Sequence, residues 1–135
     1  MLMEKVENIR WNEEFLACII RAEVSFEQNR FLTPPEYNFQ VGFIVHPADS
    51  AIAPHAHSSV EQRVDRIFEV LLVRKGRCEV DIYNRDRERV ATRELCEGDL
   101  IIIVEGGHGF RMLEDTVFLE IKQGPYTGAD QKRPY

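Results

Sequence analysis

The chain has 135 residues and a mass of 15.7 kDa, a size that predicts one domain around one hydrophobic core and excludes two catalytic domains. Hydrophobic residues make up 44% and charged residues 30%, a globular balance that excludes a disordered or low-complexity chain. Lys and Arg number 17 against 23 Asp and Glu, so a net charge of −6 would repel a nucleic-acid backbone. We therefore expect no nucleic-acid partner.

Short β-branched and aromatic runs, separated by Gly, Pro, Asn and Asp, predict an all-β protein. Helical character is confined to residues 6–14 and to residues 58–66, where Ser58 and Glu61 have the spacing of a capping box. The short strands that remain indicate a barrel or a sandwich. The predicted strands are residues 15–22, 38–46, 51–57, 67–74, 77–83, 90–96, 100–104, 109–113 and 116–122.

Turn-forming residues lie between several of these strands and predict antiparallel connections. Lys75 and Gly76 join two strands tightly, and residues 84–86 and 114–115 are each expected to close a hairpin. The charge-dense segment 85–89 alternates in sign, which is typical of a solvated turn and not of a binding patch.

The last predicted strand alternates apolar and charged residues. This pattern predicts that Val117, Leu119 and Ile121 face the core and that Glu120 points the other way. If the parity is reversed, Glu120 becomes a candidate catalytic acid.

The longest apolar runs, residues 15–20 and 100–104, are far shorter than the roughly 20 residues needed to cross a bilayer. We expect a cytoplasmic protein with no membrane partner. Cys18, Cys78 and Cys96 form no C-x-x-C pair, and their odd number favours reduced thiols over a disulfide framework.

Three of the four histidines, together with one glutamate, fall where strands could converge. His55 and His57 alternate in a predicted strand and so share a face, as in half of a metal site, although an isolated pair is more often an ordinary surface pair. Glu69 lies in an otherwise apolar strand, so it either faces solvent or pairs with a positive group. His108 lies among glycines that allow close backbone approach. His46, before Pro47, is interpreted as structural or solvent-facing.

The order His55-x-His57, Glu69 with Gly76, and Gly98-Asp99 followed by an apolar strand and His108 resembles the two sequence motifs of the cupin superfamily. The resemblance covers residues 51–113, about half of the chain. It implies a single cupin domain over residues 1–135, folded as a jelly-roll β-barrel with a short N-terminal extension and a C-terminal tail. It also implies that His55, His57, Glu69 and His108 are metal ligands and that Gly76 and Gly98 mark turns.

The chain departs from the cupin pattern at two places. Eleven residues separate His57 from Glu69 where the family has three or four, and the second motif is one residue short, with Val104 where a proline is common. Glu61 would satisfy the usual interval, but no glycine follows it until Gly76, so Glu69 is the preferred ligand. The segments 34–36, 106–110 and 122–126 resemble short single-domain cupins.

Three imidazoles and one carboxylate suit a divalent Fe, Mn, Ni, Co or Zn ion and match Ca²⁺ poorly. Four ligands leave two positions of an octahedral ion for water or substrate. Arg63 and Arg66 lie in the lengthened loop over the expected mouth of the pocket. Phe110 and Met112 share a face with His108 and are expected to be pocket walls.

The resemblance favours a metal-dependent enzyme that acts on a small polar, carbohydrate-derived metabolite by isomerisation, epimerisation or oxidation. Two alternatives stay open: a non-catalytic cupin that binds a small-molecule ligand, and a metal-free acid–base isomerase in which His55 or His108 moves protons and Glu69 orients an imidazole. We also expect a homodimer, paired through outward-facing apolar residues such as Val70 and Leu72.

Overall fold

The strands and turns of the chain are seen in a computed structural model that describes residues 5–126 and 133–135. Over these residues the protein is all-β, as predicted, with antiparallel pairing throughout and no helix. The strands are β1 (Val6–Trp11), β2 (Glu14–Ile20), β3 (Arg30–Phe31), β4 (Gly42–Phe43), β5 (Glu69–Lys75), β6 (Arg77–Tyr83), β7 (Arg89–Cys96), β8 (Leu100–Ile103), β9 (Gly107–Met112) and β10 (Val117–Lys122).

The strands belong to two compact units. The first contains the residues up to Val24 and from Arg66 onward, and the second contains Ser25–Asp65. The first unit has a five-stranded sheet in the order β1-β2-β8-β5-β10 and a three-stranded sheet in the order β7-β6-β9, and the second has the pair β3-β4. Within the described residues, none of these sheets closes into a barrel.

The core of the first unit lies on the inner faces of its two sheets. In β6, buried and half-buried side chains alternate along the whole strand, which is the period-two pattern of a strand with one face on a core. Each aliphatic side chain buried in this way contributes about 1.5–3 kcal/mol. Core residues include Leu16, Ile19, Leu71, Val73, Ile101 and Ile103 from the first sheet and Cys78, Val80, Ile82 and Leu95 from the second.

The predicted parity of β10 is wrong. Val117, Leu119 and Ile121 are about half exposed, whereas Phe118 packs against the core. Phe118 pairs with Val73, and Lys122 pairs with Glu69, so Phe118, Glu120 and Lys122 share the inner face. The partly buried ring of Phe118, together with a register shift at Val117, therefore decides which residues of β10 face the core, against the pattern of its aliphatic residues.

The predicted turn at Lys75 and Gly76 connects β5 of one sheet to β6 of the other. Gly76 has φ +90°, and a Cβ atom there would collide with the carbonyl oxygen of Asp115, so only glycine fits. Residues 84–86 do close the hairpin between β6 and β7. The expectation of a hairpin at residues 114–115 is wrong, because this turn leads from β9 to β10, which belong to different sheets.

A buried ion pair fixes the turn before β8. Asp99 and Arg21 are both nearly inaccessible, with Arg21 Nη1 3.1 Å from Asp99 Oδ2. The other bonds of the carboxylate satisfy backbone groups, since it accepts from the amides of Ala22 at 2.9 Å and Cys96 at 2.8 Å. Gly98 adopts a left-handed φ of +89° directly before it, so the predicted turn is present.

Two predicted helical segments are not helical. Residues 6–14 form β1 and the start of β2, because β1 pairs with β2 along its length, and this segment is thus part of the main sheet and not an extension. Residues 58–66 form no helical turn. The predicted strand 51–57 is also absent, and strand 38–46 reduces to Gly42–Phe43. Residues 46–65 are exposed throughout, so this segment has no buried face that would stabilise strand pairing.

Over the described residues, no helix has the length and apolar character required to cross a membrane.

Candidate functional site

A cavity of about 870 Å³ opens in the first unit where the inner face of the core gives way to polar side chains. The end of β6, the start of β9 and the turn before β9 supply much of its wall. At Gly106, φ is +76° and a Cβ atom would collide with the carbonyl oxygen of Tyr83, so glycine lets this turn lie against β6. Other lining residues include Ile67, Glu69, Arg85, Arg87, Glu105, His108, Phe110, Lys122, Arg133 and Tyr135.

Glu69 and His108 meet in this cavity. Glu69 lies opposite Ile103 and His108 lies opposite Ile82, and both of these isoleucines are core residues. Since directly opposed residues point to the same face, both functional side chains lie on the inner faces of their sheets. His108 Nε2 donates to Glu69 Oε2 over 3.1 Å, and the two side chains are 29% and 17% exposed.

The surroundings of Glu69 favour its ionised form. The hydrogen bond from His108 lowers the pKa of Glu69 below its usual value, against the opposing effect of burial. A hydrogen bond with Glu120 and the charge of Lys122, whose Nζ is 4.0 Å from Oε1, lower the pKa further. The reversed parity of β10 therefore brings Glu120 and Lys122 next to the Glu69–His108 pair.

This geometry is compatible with two kinds of chemistry. A carboxylate oxygen and an imidazole nitrogen 3.1 Å apart are two donors that would hold one divalent transition-metal ion. A carboxylate that accepts a hydrogen bond from an imidazole also fixes the tautomer of that ring for proton transfer.

His55 and His57 lie in the second unit. Their ring centroids are 5.2 Å apart at an interplanar angle of 67°. His55 Nδ1 lies 2.9 Å from the carbonyl oxygen of Ala53 and donates to it, which leaves Nε2 with its lone pair available to a metal. Both residues are exposed. Over the described residues of either unit, no group of three or more His, Cys, Asp or Glu side chains is arranged to hold a metal ion.

The other predicted pocket residues lie in several places. Phe110 lines the cavity, with its ring centroid 5.8 Å from that of His108. Met112 is half exposed and is not part of the cavity wall, because four residues of strand place it about 13 Å from His108. Arg66 Nη1 is 3.8 Å from Glu105 Oε2 beside the cavity. Arg63 and Glu61 are exposed residues of the second unit.

The turn between β6 and β7 contributes cavity residues that the sequence did not lead us to expect. Arg85 and Arg87, interpreted as part of a solvated turn, line the cavity together with Tyr83. Residues 84–88 form the turn after β6, where strand alternation ends, so no local pattern of the sequence identifies Arg85 and Arg87 as cavity residues.

The three cysteines are free thiols, with Cys18 and Cys78 buried and Cys96 exposed. Burial, followed by the charge of Glu7, raises the pKa of Cys18 to about 11. Burial also raises the pKa of Cys96, so its thiol is not activated as a nucleophile.

Comparison with protein-family models, with curated proteins and with solved structures found no match.

Proposed function

We propose that the chain is a cupin-type, metal-dependent enzyme that acts on a small polar molecule by isomerisation, epimerisation or oxidation. The observation that carries the proposal is the 3.1 Å contact between Glu69 Oε2 and His108 Nε2 in a cavity of about 870 Å³. A cavity of this size suits a small metabolite. We also propose that the strands of the domain have a jelly-roll topology, because the sequence motifs resemble those of cupins.

The donor chemistry of the pair fits a divalent transition metal. One imidazole nitrogen and one carboxylate oxygen suit Fe, Mn, Ni, Co or Zn. The sequence resemblance adds His55 and His57 as further ligands, and this part of the proposal rests on the sequence alone. When bound, such an ion polarises a carbonyl or hydroxyl oxygen of the substrate. The hydrogen bond from His108 is the largest cause that lowers the pKa of Glu69, and the hydrogen bond with Glu120 and the charge of Lys122 add to it, so the carboxylate form is favoured.

A metal-free acid–base isomerase is the second candidate, and a specific observation favours it. The direct hydrogen bond between His108 and Glu69 orients the imidazole, and the lowered pKa of Glu69 keeps the carboxylate ionised to stabilise a protonated ring. In this candidate His108 moves the proton and Glu69 is a positioning residue.

Elemental analysis of protein purified without added metal tests the first candidate. We expect about one transition-metal ion per chain in the wild type. The metal content should fall at least tenfold in Glu69→Gln and in His108→Ala. Glu79→Gln and His46→Ala are matched controls, because Glu79 pairs with Arg111 on the surface and His46 lies outside the motifs. Both controls should retain the metal.

Protein with no metal, which also fails to bind added Zn²⁺ or Mn²⁺ in a calorimetric titration, would contradict the metal-dependent proposal and support the acid–base candidate. Equal metal content in Glu69→Gln and the wild type would contradict the assignment of Glu69 as a ligand.

The homodimer remains a proposal, but its surface differs from the one expected. Val70 is buried and Leu72 is half buried, whereas Val117, Leu119 and Ile121 on β10 are about half exposed. Among the described strands, β10 is an edge of the five-stranded sheet, and an apolar edge strand is a template for pairing with a second copy. Sedimentation should show a dimer at micromolar concentration and a monomer for Leu119→Lys. A monomeric wild type would contradict this proposal.

A further inference from the structure

The charge of the cavity differs from the charge of the chain. The whole sequence has a net charge of −6, yet the described lining residues include the cations Arg85, Arg87, Lys122 and Arg133 against the carboxylates Glu69 and Glu105. The lining therefore has a surplus of two positive charges. A cavity with low-dielectric walls focuses such a field and attracts anions.

The two positive charges in surplus are those of Arg87 and Arg133. Arg85 Nη2 is 2.5 Å from Glu105 Oε1, and Lys122 is paired with Glu69, so these two cations are already compensated. Across residues 5–126 and 133–135, neither Arg87 nor Arg133 has a carboxylate within 4.0 Å. The guanidinium carbon of Arg87 lies 5.0 Å from the ring centroid of Tyr135, which leaves its nitrogen donors without an anionic partner among the described residues.

The backbone at Arg87 is a second, independent observation. Arg87 has φ +63°, a left-handed conformation that costs free energy for any residue with a Cβ atom. Buried Asn84 imposes this conformation, because its Oδ1 accepts from the amides of Asp86 at 2.9 Å and Glu88 at 3.0 Å, while its carbonyl accepts from the amide of Arg87 at 3.1 Å. Glycine would fit this position with less strain. An arginine at this strained position, exposed and lining the cavity, indicates a role for its side chain.

We propose that the cavity binds the oxyanion of its ligand, a carboxylate or a phosphate group, between Arg87 and Arg133. The planar guanidinium fork donates two parallel hydrogen bonds to either group, which is why arginine is suited to both. This inference deepens the proposed function and rests on it for the reacting end of the ligand, which lies at Glu69 and His108. The anionic end binds at the β6–β7 turn.

Titration of the full chain with inorganic phosphate and, separately, with malonate tests the inference, with binding followed by amide NMR shifts. We expect saturable binding of at least one of the two, and the tighter one identifies the group. Arg87→Gly and Arg133→Ala should each raise the Kd at least fivefold. Arg111→Ala, which removes a surface arginine outside the cavity, should leave the Kd unchanged.

Arg87→Gly separates binding from folding, because glycine relieves the left-handed φ. Its thermal midpoint should equal or exceed that of the wild type while its affinity falls. No saturable binding of either anion, or an unchanged Kd in both cavity variants, would overturn the inference.

Metal content measured on the same samples distinguishes this inference from the proposed function. Protein with metal but without oxyanion binding would overturn the inference alone. Protein without metal whose oxyanion binding depends on Arg87 and Arg133 would support the inference while contradicting the metal-dependent reaction.

Discussion

The two units hold their histidines in different ways. In the first unit, His108 lies on a paired strand opposite a core isoleucine, and Glu69 does the same on another strand. In the second unit, His55 and His57 lie in a segment without strand pairing, and residues 46–65 are exposed throughout. On a strand with a buried face, pairing and packing fix the position of each side chain. In an exposed segment without strand pairing, H-x-H spacing only keeps the two imidazole rings near each other.

The largest expected effect tests whether the buried ion pair of the first unit contributes to the stability of that unit. Asp99→Ala leaves the charge of Arg21 buried without an anionic partner, with only its hydrogen bond to the carbonyl oxygen of Glu94, and breaking a buried pair in this way costs about 3–5 kcal/mol. Urea denaturation measures this loss of unfolding free energy.

The matched change in the second unit is Ile52→Ala. Ile52 is 60% exposed, so its truncation should change the unfolding free energy by less than about 0.5 kcal/mol. Equal losses in the two variants would contradict the distinction between a packed and an exposed region.

A pH series sharpens the same distinction at Cys18 in the packed unit. The folded state raises the pKa of its thiol from 9.0 to about 11, so the neutral form is favoured in the folded chain. The associated stability is complete below pH 9 and is lost as the pH rises through 11, a loss on the order of 2 kcal/mol.

Urea denaturation between pH 8 and pH 11 should show this loss in the wild type and a smaller loss in Cys18→Ala. The difference between the two curves isolates Cys18 from tyrosines and lysines that titrate in the same range. Parallel curves would show that the thiol is not desolvated.

The smallest effect concerns a strained residue within the stable unit. Arg87→Gly should raise the unfolding free energy by about 0.5 kcal/mol, because relief of the left-handed φ slightly exceeds the extra entropy of glycine in the unfolded chain. Thermal unfolding should show a midpoint higher by about 2 °C. Arg89→Gly at the start of β7 is the control and should lower the midpoint. A lower midpoint for Arg87→Gly would mean that Arg87 stabilises the turn.

Strand prediction succeeded where a short apolar run, bounded by turn-forming residues, also had a buried face. Strands β5 to β9 were predicted from such runs, and each of them has residues in the core or packed against it. The strand β1 was missed because its burial comes from pairing with β2, which its own residue pattern does not reveal. Residues 51–57 were predicted as a strand, but they have no buried face and form no strand.

The candidate site was predicted in part for the same reason. Glu69 and His108 were identified from motif spacing, and their contact follows from two strands that share one core. Arg87 was missed because its place in the cavity depends on the turn that Asn84 imposes, and charge alternation alone indicates a solvated turn. The packing of Phe118 decides which face of β10 lies on the core. In the sequence, the three aliphatic residues of the other face favoured the opposite orientation.

Titration of the full chain with Zn²⁺, followed by the ¹⁵N NMR signal of the His108 imidazole, tests directly whether Glu69 and His108 hold a metal ion. We expect one equivalent of Zn²⁺ to shift the His108 Nε2 resonance and Glu69→Gln to abolish the shift, because both side chains hold the ion. A His108 resonance that stays unchanged in folded protein at stoichiometric Zn²⁺ would contradict this expectation.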